Sequence, residues 1–150
     1  TALASGIADA TLDARLQRFD RGGVEVVVDV AHNPQAAQAL ADWLQVAPAG
    51  GRTVAVFAAL ADKDVAGVAS ALAPSIARWH LAGSQGFGAR GQDAAALRAR
   101  LPAGLDADLH ADVGHALEAA VAAAKPGERV LVLGSFHAAA EALAWLRGAR

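Results

Sequence analysis

Val24-Glu25-Val26-Val27-Val28-Asp29-Val30-Ala31-His32-Asn33-Pro34 is the stretch on which the fold turns. Its apolar, β-branched first half suits a strand in the interior of a parallel sheet. Asn33 can cap a helix, and Pro34 suits the first helical position, where a missing N–H costs nothing. Asp29 and His32 therefore fall in a strand-to-helix crossing, beside a helix N-terminus whose free N–H groups favour anions. The same letters also describe a plain polar strand end followed by a cap.

Working outward, the same alternation recurs. Upstream, Arg15 to Phe19 alternates polar and apolar as a half-buried strand does, and Asp20-Arg21-Gly22-Gly23 reads as a hairpin turn. Downstream, helix is expected over Gln35–Val46, strand over Thr53–Ala58, and helix from Val65 until Pro74. A strand over Ile76–Ala82 leads into a glycine-rich loop, Gly83–Gly91, and a short helix over Gln92–Leu101. A weak strand follows over Leu105–Ala111, then a helix capped by Asp112 and a wholly apolar strand over Arg129–Leu133. Gly134-Ser135 turns into a final helix expected to pack Phe136, Ala140, Leu143 and Leu146. Strand and helix repeated about five times predict an α/β, Rossmann-like fold. Its mostly parallel sheet has about six strands, helices on both faces and an antiparallel strand from the N-terminal hairpin.

The 150 residues suffice for one domain with a real core. A net charge of -2 argues against a nucleic-acid partner. No apolar run approaches the ~20 residues of a membrane span, and the start lacks the charged region of a signal peptide. Cysteine is absent, which removes disulfide and thiol chemistry and fits a cytoplasmic setting. Methionine is absent too, even at position 1, as expected of a piece of a longer chain. Residues 1–13 read as a linker remnant and 14–150 as the domain.

In sheets of this kind, ligands bind outside the carboxyl ends of the strands. Four crossings there carry polar residues: Asp29–Asn33, Asp62–Asp64, the Gly83–Gly91 loop and Gly134–His137. Gly86-Phe87-Gly88-Ala89-Arg90-Gly91 spells G-x-G-x-x-G, so a stand-alone dinucleotide-binding module is the alternative reading. Against it, the loop is long and follows the third strand instead of the first; a mobile glycine loop with Arg90 facing the edge is the plainer description. Ser135 is read as a helix cap whose surroundings can hold a carboxylate or phosphate, since no G-x-S-x-G elbow is present. His110 and His115 read as surface residues, with no metal ligands expected in the domain. There is no G-x-x-x-x-G-K-[ST], hence no P-loop for independent ATP hydrolysis.

Taken together, Asp29-Val30-Ala31-His32-Asn33-Pro34, Leu60-Ala61-Asp62-Lys63-Asp64-Val65 and Gly134-Ser135-Phe136-His137 resemble the C-terminal domain of the bacterial bifunctional folylpolyglutamate synthases/dihydrofolate synthases, within the Mur ligase superfamily. Leu12-Asp13-Ala14-Arg15-Leu16-Gln17 looks like that family's L-P-G-R-F-Q segment, with departures at Asp13, Ala14 and Leu16. The resemblance implies one domain of an ATP-dependent ligase that joins glutamate to dihydropteroate or a folate through an acyl phosphate. A larger N-terminal domain would carry the P-loop, the Mg2+ ligands and the pterin pocket. ATP would meet Arg15, Asp29 and His32, while L-glutamate would meet Lys63, Ser135 and His137. Arg90 matches an arginine of the family's corresponding loop. No residue here is expected to catalyse by itself, and the isolated domain should be inactive.

Overall fold

The computed structural model describes residues 16–148. Strands β1 (Gln17–Arg21) and β2 (Val24–Val28) form the expected hairpin. Pairing runs to Arg21 opposite Val24, so the turn is only Gly22-Gly23, both at positive φ (63° and 91°). A two-residue turn of that kind matches the strand twist and excludes most side chains. Arg15, with the segment before it, lies outside the described residues.

After β2 come α1 (Pro34–Val46), β3 (Thr53–Phe57), α2 (Val65–Leu72) and β4 (Arg78–Ala82). The chain continues through α3 (Ala94–Ala99), β5 (Ala107–His110), α4 (Val113–Ala123), β6 (Arg129–Leu133) and α5 (Phe136–Gly148). The six strands lie in the order β1-β2-β6-β3-β4-β5, and every pair except β1–β2 is parallel.

Handedness explains which helix covers which face. From β2 through β3 to β5 the strands advance one way across the sheet, whereas the step from β5 to β6 runs back. Right-handed crossovers then require opposite faces for the two directions. Accordingly α1, α2 and α3 bury Leu40, Leu44, Val68, Leu72 and Leu97 against Val27, Phe57, Trp79 and Leu81. Helices α4 and α5 bury Val113, Leu117, Ala142 and Leu146 on the other face, against Val26, Val28, Val56 and Val132. Alternation along each strand separates the two cores. Phe57 and Trp79 meet edge-on, 5.7 Å between centroids, and truncating either to alanine is expected to cost about 3–5 kcal/mol.

Some expectations shift. The strand over Ile76–Ala82 begins only at Arg78, because Ala73-Pro74-Ser75 forms a 3-10 turn first. The short helix over Gln92–Leu101 shrinks to Ala94–Ala99 behind its cap Asp93. In the last helix Phe136 and Ala140 point to solvent; the buried stripe is Ala138, Ala139, Ala142, Leu143 and Leu146. The cap fixes this phase: Ser135 Oγ accepts from Ala138 N at 3.0 Å, and Phe136 is left at the sheet edge, 55% exposed. His110 is half-buried and hydrogen-bonded to His80, not a free surface group.

Candidate functional site

Four parallel strands, β2, β6, β3 and β4, release their chains at one edge, so the four polar crossings do share it. Strand β6 sits between β2 and β3, yet its helix lies on the opposite face from theirs. Neighbouring strands whose chains leave to opposite faces open a crevice between them. A pocket of about 230 Å³ occupies this point, lined by His32, Leu60, Lys63, Arg90, Ser135, Phe136 and His137.

Helix starts shape its floor. Asn33 Oδ1 accepts from Ala36 N at 2.8 Å, with Pro34 in the first turn of α1. Asp64 Oδ1 accepts from Gly67 N at 3.0 Å and caps α2. A Cβ on Gly67 would stand 2.7 Å from Pro34 Cγ, so glycine lets the two helix starts close on each other. Gly134 (φ 121°) is required for the same reason: its Cβ would lie 2.1 Å from Ala58 O. Strand ends β3 and β6 thereby come close enough for Ser135 Oγ to reach Ala58 O at 3.4 Å. The hydroxyl donates there and accepts from Ala138 N, so it is committed to structure. The first N–H groups of α5 are what this crossing offers an anion.

The other expected residues divide. His32 Nδ1 donates to Val30 O at 2.9 Å, which leaves Nε2 as the acceptor, and the ring lies 5.8 Å from that of Phe136. His137 stacks on Phe87 at 4.9 Å. Lys63 is half-buried in the pocket wall, and its ammonium forms no salt bridge among the described residues. Asp29, by contrast, is buried and does not line the pocket. Its Oδ1 accepts from Ala31 N at 2.8 Å and its Oδ2 from Leu16 N at 3.0 Å. It folds the crossing back on itself and ties down the residue that follows Arg15.

Sequence reasoning missed the network beneath the glycine loop. Ser84, buried, accepts from Gln92 N at 2.9 Å, and Gln92 Nε2 donates to Ala59 O at the same distance. Ala61 N donates to Arg90 O at 2.8 Å, and Arg100 donates to Lys63 O at 2.6 Å. The loop is therefore pinned to the β3 crossing instead of swinging free. The Arg90 guanidinium bonds Asp62 at 2.6 Å and holds that carboxyl below its usual range. The one signal in the sequence was a pair of polar residues, Ser84 and Gln92, flanking the glycines.

This geometry is not a dinucleotide cradle. Gln85–Phe87 makes a 3-10 turn, and α3 begins three residues beyond Gly91, behind the carboxylate of Asp93, which caps Ala96 N. A pyrophosphate would meet that acid where the motif needs open N–H groups. A larger groove, about 410 Å³, opens at the amino edge near Leu44, Pro48, Arg52 and Arg129. Its two cations are bonded, Arg129 to Glu25 and Arg52 to Glu128, whereas the smaller pocket offers Lys63 without a salt bridge among the described residues and is the better site.

The model of the Mur ligase glutamate ligase domain matches residues 14–136. The chain belongs to that family. It is 39% identical over 142 residues to the dihydrofolate synthase/folylpolyglutamate synthase of Escherichia coli strain K12, covering 95% of this domain and 32% of that protein. The Escherichia coli enzyme in complex with DHPP and ADP superposes with a TM-score of 0.81 at 36% identity, over 94% of the domain and 33% of that chain. A bifunctional folylpolyglutamate synthase/dihydrofolate synthase with Mn, AMPPNP and L-glutamate bound gives 0.80 at 33% identity, over 92% and 32%. The glutamate ligase domain thus spans about a third of these relatives and corresponds to their C-terminal domain. No helix among its described residues is long and apolar enough to cross a membrane.

Proposed function

We propose that this domain closes the site of an ATP-dependent ligase that joins glutamate to dihydropteroate, a folate, or both. The observation that carries the reading is the convergence of Lys63, Arg90, His32, His137 and the start of α5 on one pocket at the switch point of the sheet. Cations and helix N–H groups suit a carboxylate; an imidazole acceptor and an exposed aromatic ring suit a nucleotide.

In this reading the substrate carboxylate takes the γ-phosphoryl group of ATP, and the glutamate amine attacks the resulting acyl phosphate with release of phosphate. Lys63 and the first turn of α5, phased by Ser135, hold glutamate carboxylates, and His137 with Phe87 forms the side wall. His32 approaches the nucleotide. Arg15 contacts its phosphates, since a guanidinium fork fits phosphoryl oxygens. Asp29 accepts from the ribose while it also holds Leu16 N. Relatives bind AMPPNP and Mn, so a divalent ion belongs to the reaction, with Mg2+ the ion proposed here. The pocket does not offer it a ligand set: Mg2+ wants free oxygen donors, and Asp62 is bonded to Arg90. Its ligands, like the P-loop and the pterin site, are assigned to a separate N-terminal domain. An acyl phosphate hydrolyses readily, so closing two domains over it also excludes water.

The test is complementation in a cytoplasm-like buffer. The chain, mixed with a separately produced N-terminal domain carrying the P-loop, is expected to restore glutamate-dependent ADP release that neither part shows alone. Two folded, associated parts without release would count against the ligase reading.

A further inference from the structure

Outside that pocket, strands β4 and β5 bring a second group of chemistry-bearing side chains together. His80 lies opposite Asp108 in the parallel register, and His110 is two residues further along β5, on the same side of the strand. The rings of His80 and His110 are 5.2 Å apart between centroids, with His80 Nδ1 and His110 Nε2 separated by 3.1 Å. One ligand atom from each of His80, Asp108 and His110 lies within 4.8 Å of the others. A zinc ion holds imidazole nitrogens at about 2.0–2.1 Å, so two nitrogens sharing it stand roughly 3.0–3.4 Å apart.

We propose that His80, His110 and Asp108 form a binding site for a divalent transition metal of the zinc class. Two imidazoles and one carboxylate are a borderline donor set, which selects such ions over Mg2+ or Ca2+. The geometry needs little rearrangement. In the metal-free pair, one ring carries its proton on the shared nitrogen; on binding, that proton moves to the ring's other nitrogen, so both imidazoles ligate as neutral tautomers. Burial favours the neutral form of both rings. Asp108 is oriented for the task by Arg78, which donates to both its oxygens at 3.1 and 2.6 Å; each oxygen keeps a lone pair. Arg78 is itself shared with Asp106 at 2.7 Å, which offsets its charge beside a cation. Strand β5 has a single neighbour in the sheet, and an ion here would staple this edge strand to β4. Three protein ligands leave a further position for water, as in sites that exchange their metal.

Zn2+ titrated into the chain without nucleotide, followed by calorimetry, is expected to show saturable binding of one ion. His110→Gln should weaken it by more than about 10-fold, and Asp108→Asn by a smaller factor, while His115→Gln on the exposed start of α4 leaves it unchanged. Because His80 is buried, its part is read without mutation: long-range nitrogen NMR of the unaltered chain should show His80 Nδ1 and His110 Nε2 shifting together on saturation. Absence of saturable binding, unchanged affinity in His110→Gln, or shifts confined to His32, His115 or His137 would overturn the site.

Discussion

At the amino end of the sheet, Arg129 is almost fully buried: its Nε donates to Glu25 at 2.7 Å, a terminal nitrogen donates to Ala47 O at 2.6 Å, and the guanidinium lies 4.9 Å from the Trp43 ring. At the carboxyl end, Lys63 borders an open pocket with no salt bridge among the described residues, and the Arg90 side chain is 62% exposed. Both ends hold cations, but Arg129 is buried and bonded inside the fold, whereas Lys63 stands in the pocket wall without an ion-pair partner among the described residues. A charge whose donors are answered inside the fold stabilises that fold and has little left for a ligand. A charge such as that of Lys63, without a salt bridge among the described residues, is positioned for something that arrives later.

The contrast is sharpest at Arg129. Arg129→Met should destabilise the chain by about 3 kcal/mol in urea unfolding, because Glu25 loses its main partner. Glutamate KM in the complemented enzyme should stay within twofold. A stable variant would erase the structural half of the comparison. Lys63→Ala should do the reverse: stability within about 0.5 kcal/mol of the parent, and glutamate KM raised about 10- to 100-fold through loss of a charge-assisted contact. An unchanged KM would remove Lys63 from the glutamate site.

The pH dependence of stability reports on the amino end as well. Burial opposes the charge on Glu25, but hydrogen bonds from Arg129 and Arg18 outweigh it and hold the carboxyl below its ordinary 4.5. The unfolded chain then binds the proton first. This contribution is complete above pH 4.5 and is lost as pH falls through the lower folded value. Acid unfolding of Glu25→Gln should lack that component. The smallest effect is expected at Asp62→Asn. It leaves the unfolding midpoint unchanged, since that ion pair is exposed, but shifts glutamate KM a few-fold by releasing Arg90.

Why some of this could be read in advance and some could not follows from the range of the forces involved. Asn33, Asp64 and Asp112 act on N–H groups three residues away, so their caps were visible in one dimension, although Asp64 was read only as part of a crossing. The polar crossings were legible because the βα alternation sends parallel strands out at one edge. The phase of α5 was not: Ala138 and Ala139 go inward because Gly134 lets β6 approach Ala58, a residue of another strand. Nor was the bond that Asp29 accepts from Leu16 N, 13 residues away, since it joins the crossing to the residue before the hairpin. The bonds of Ser84 and Gln92 to Ala59, and the meeting of His80 with His110, also depend on strands distant in the chain.

The sequence by itself determined the layers, the hairpin, the caps and the edge at which polar residues gather, because periodicity, turn chemistry and capping are local. Only the tertiary structure decided that β6 inserts between β2 and β3. That insertion opens the pocket and separates its lining residues from those that merely build the crossing, because it sets β6, whose helix packs on one face, between β2 and β3, whose helices pack on the other.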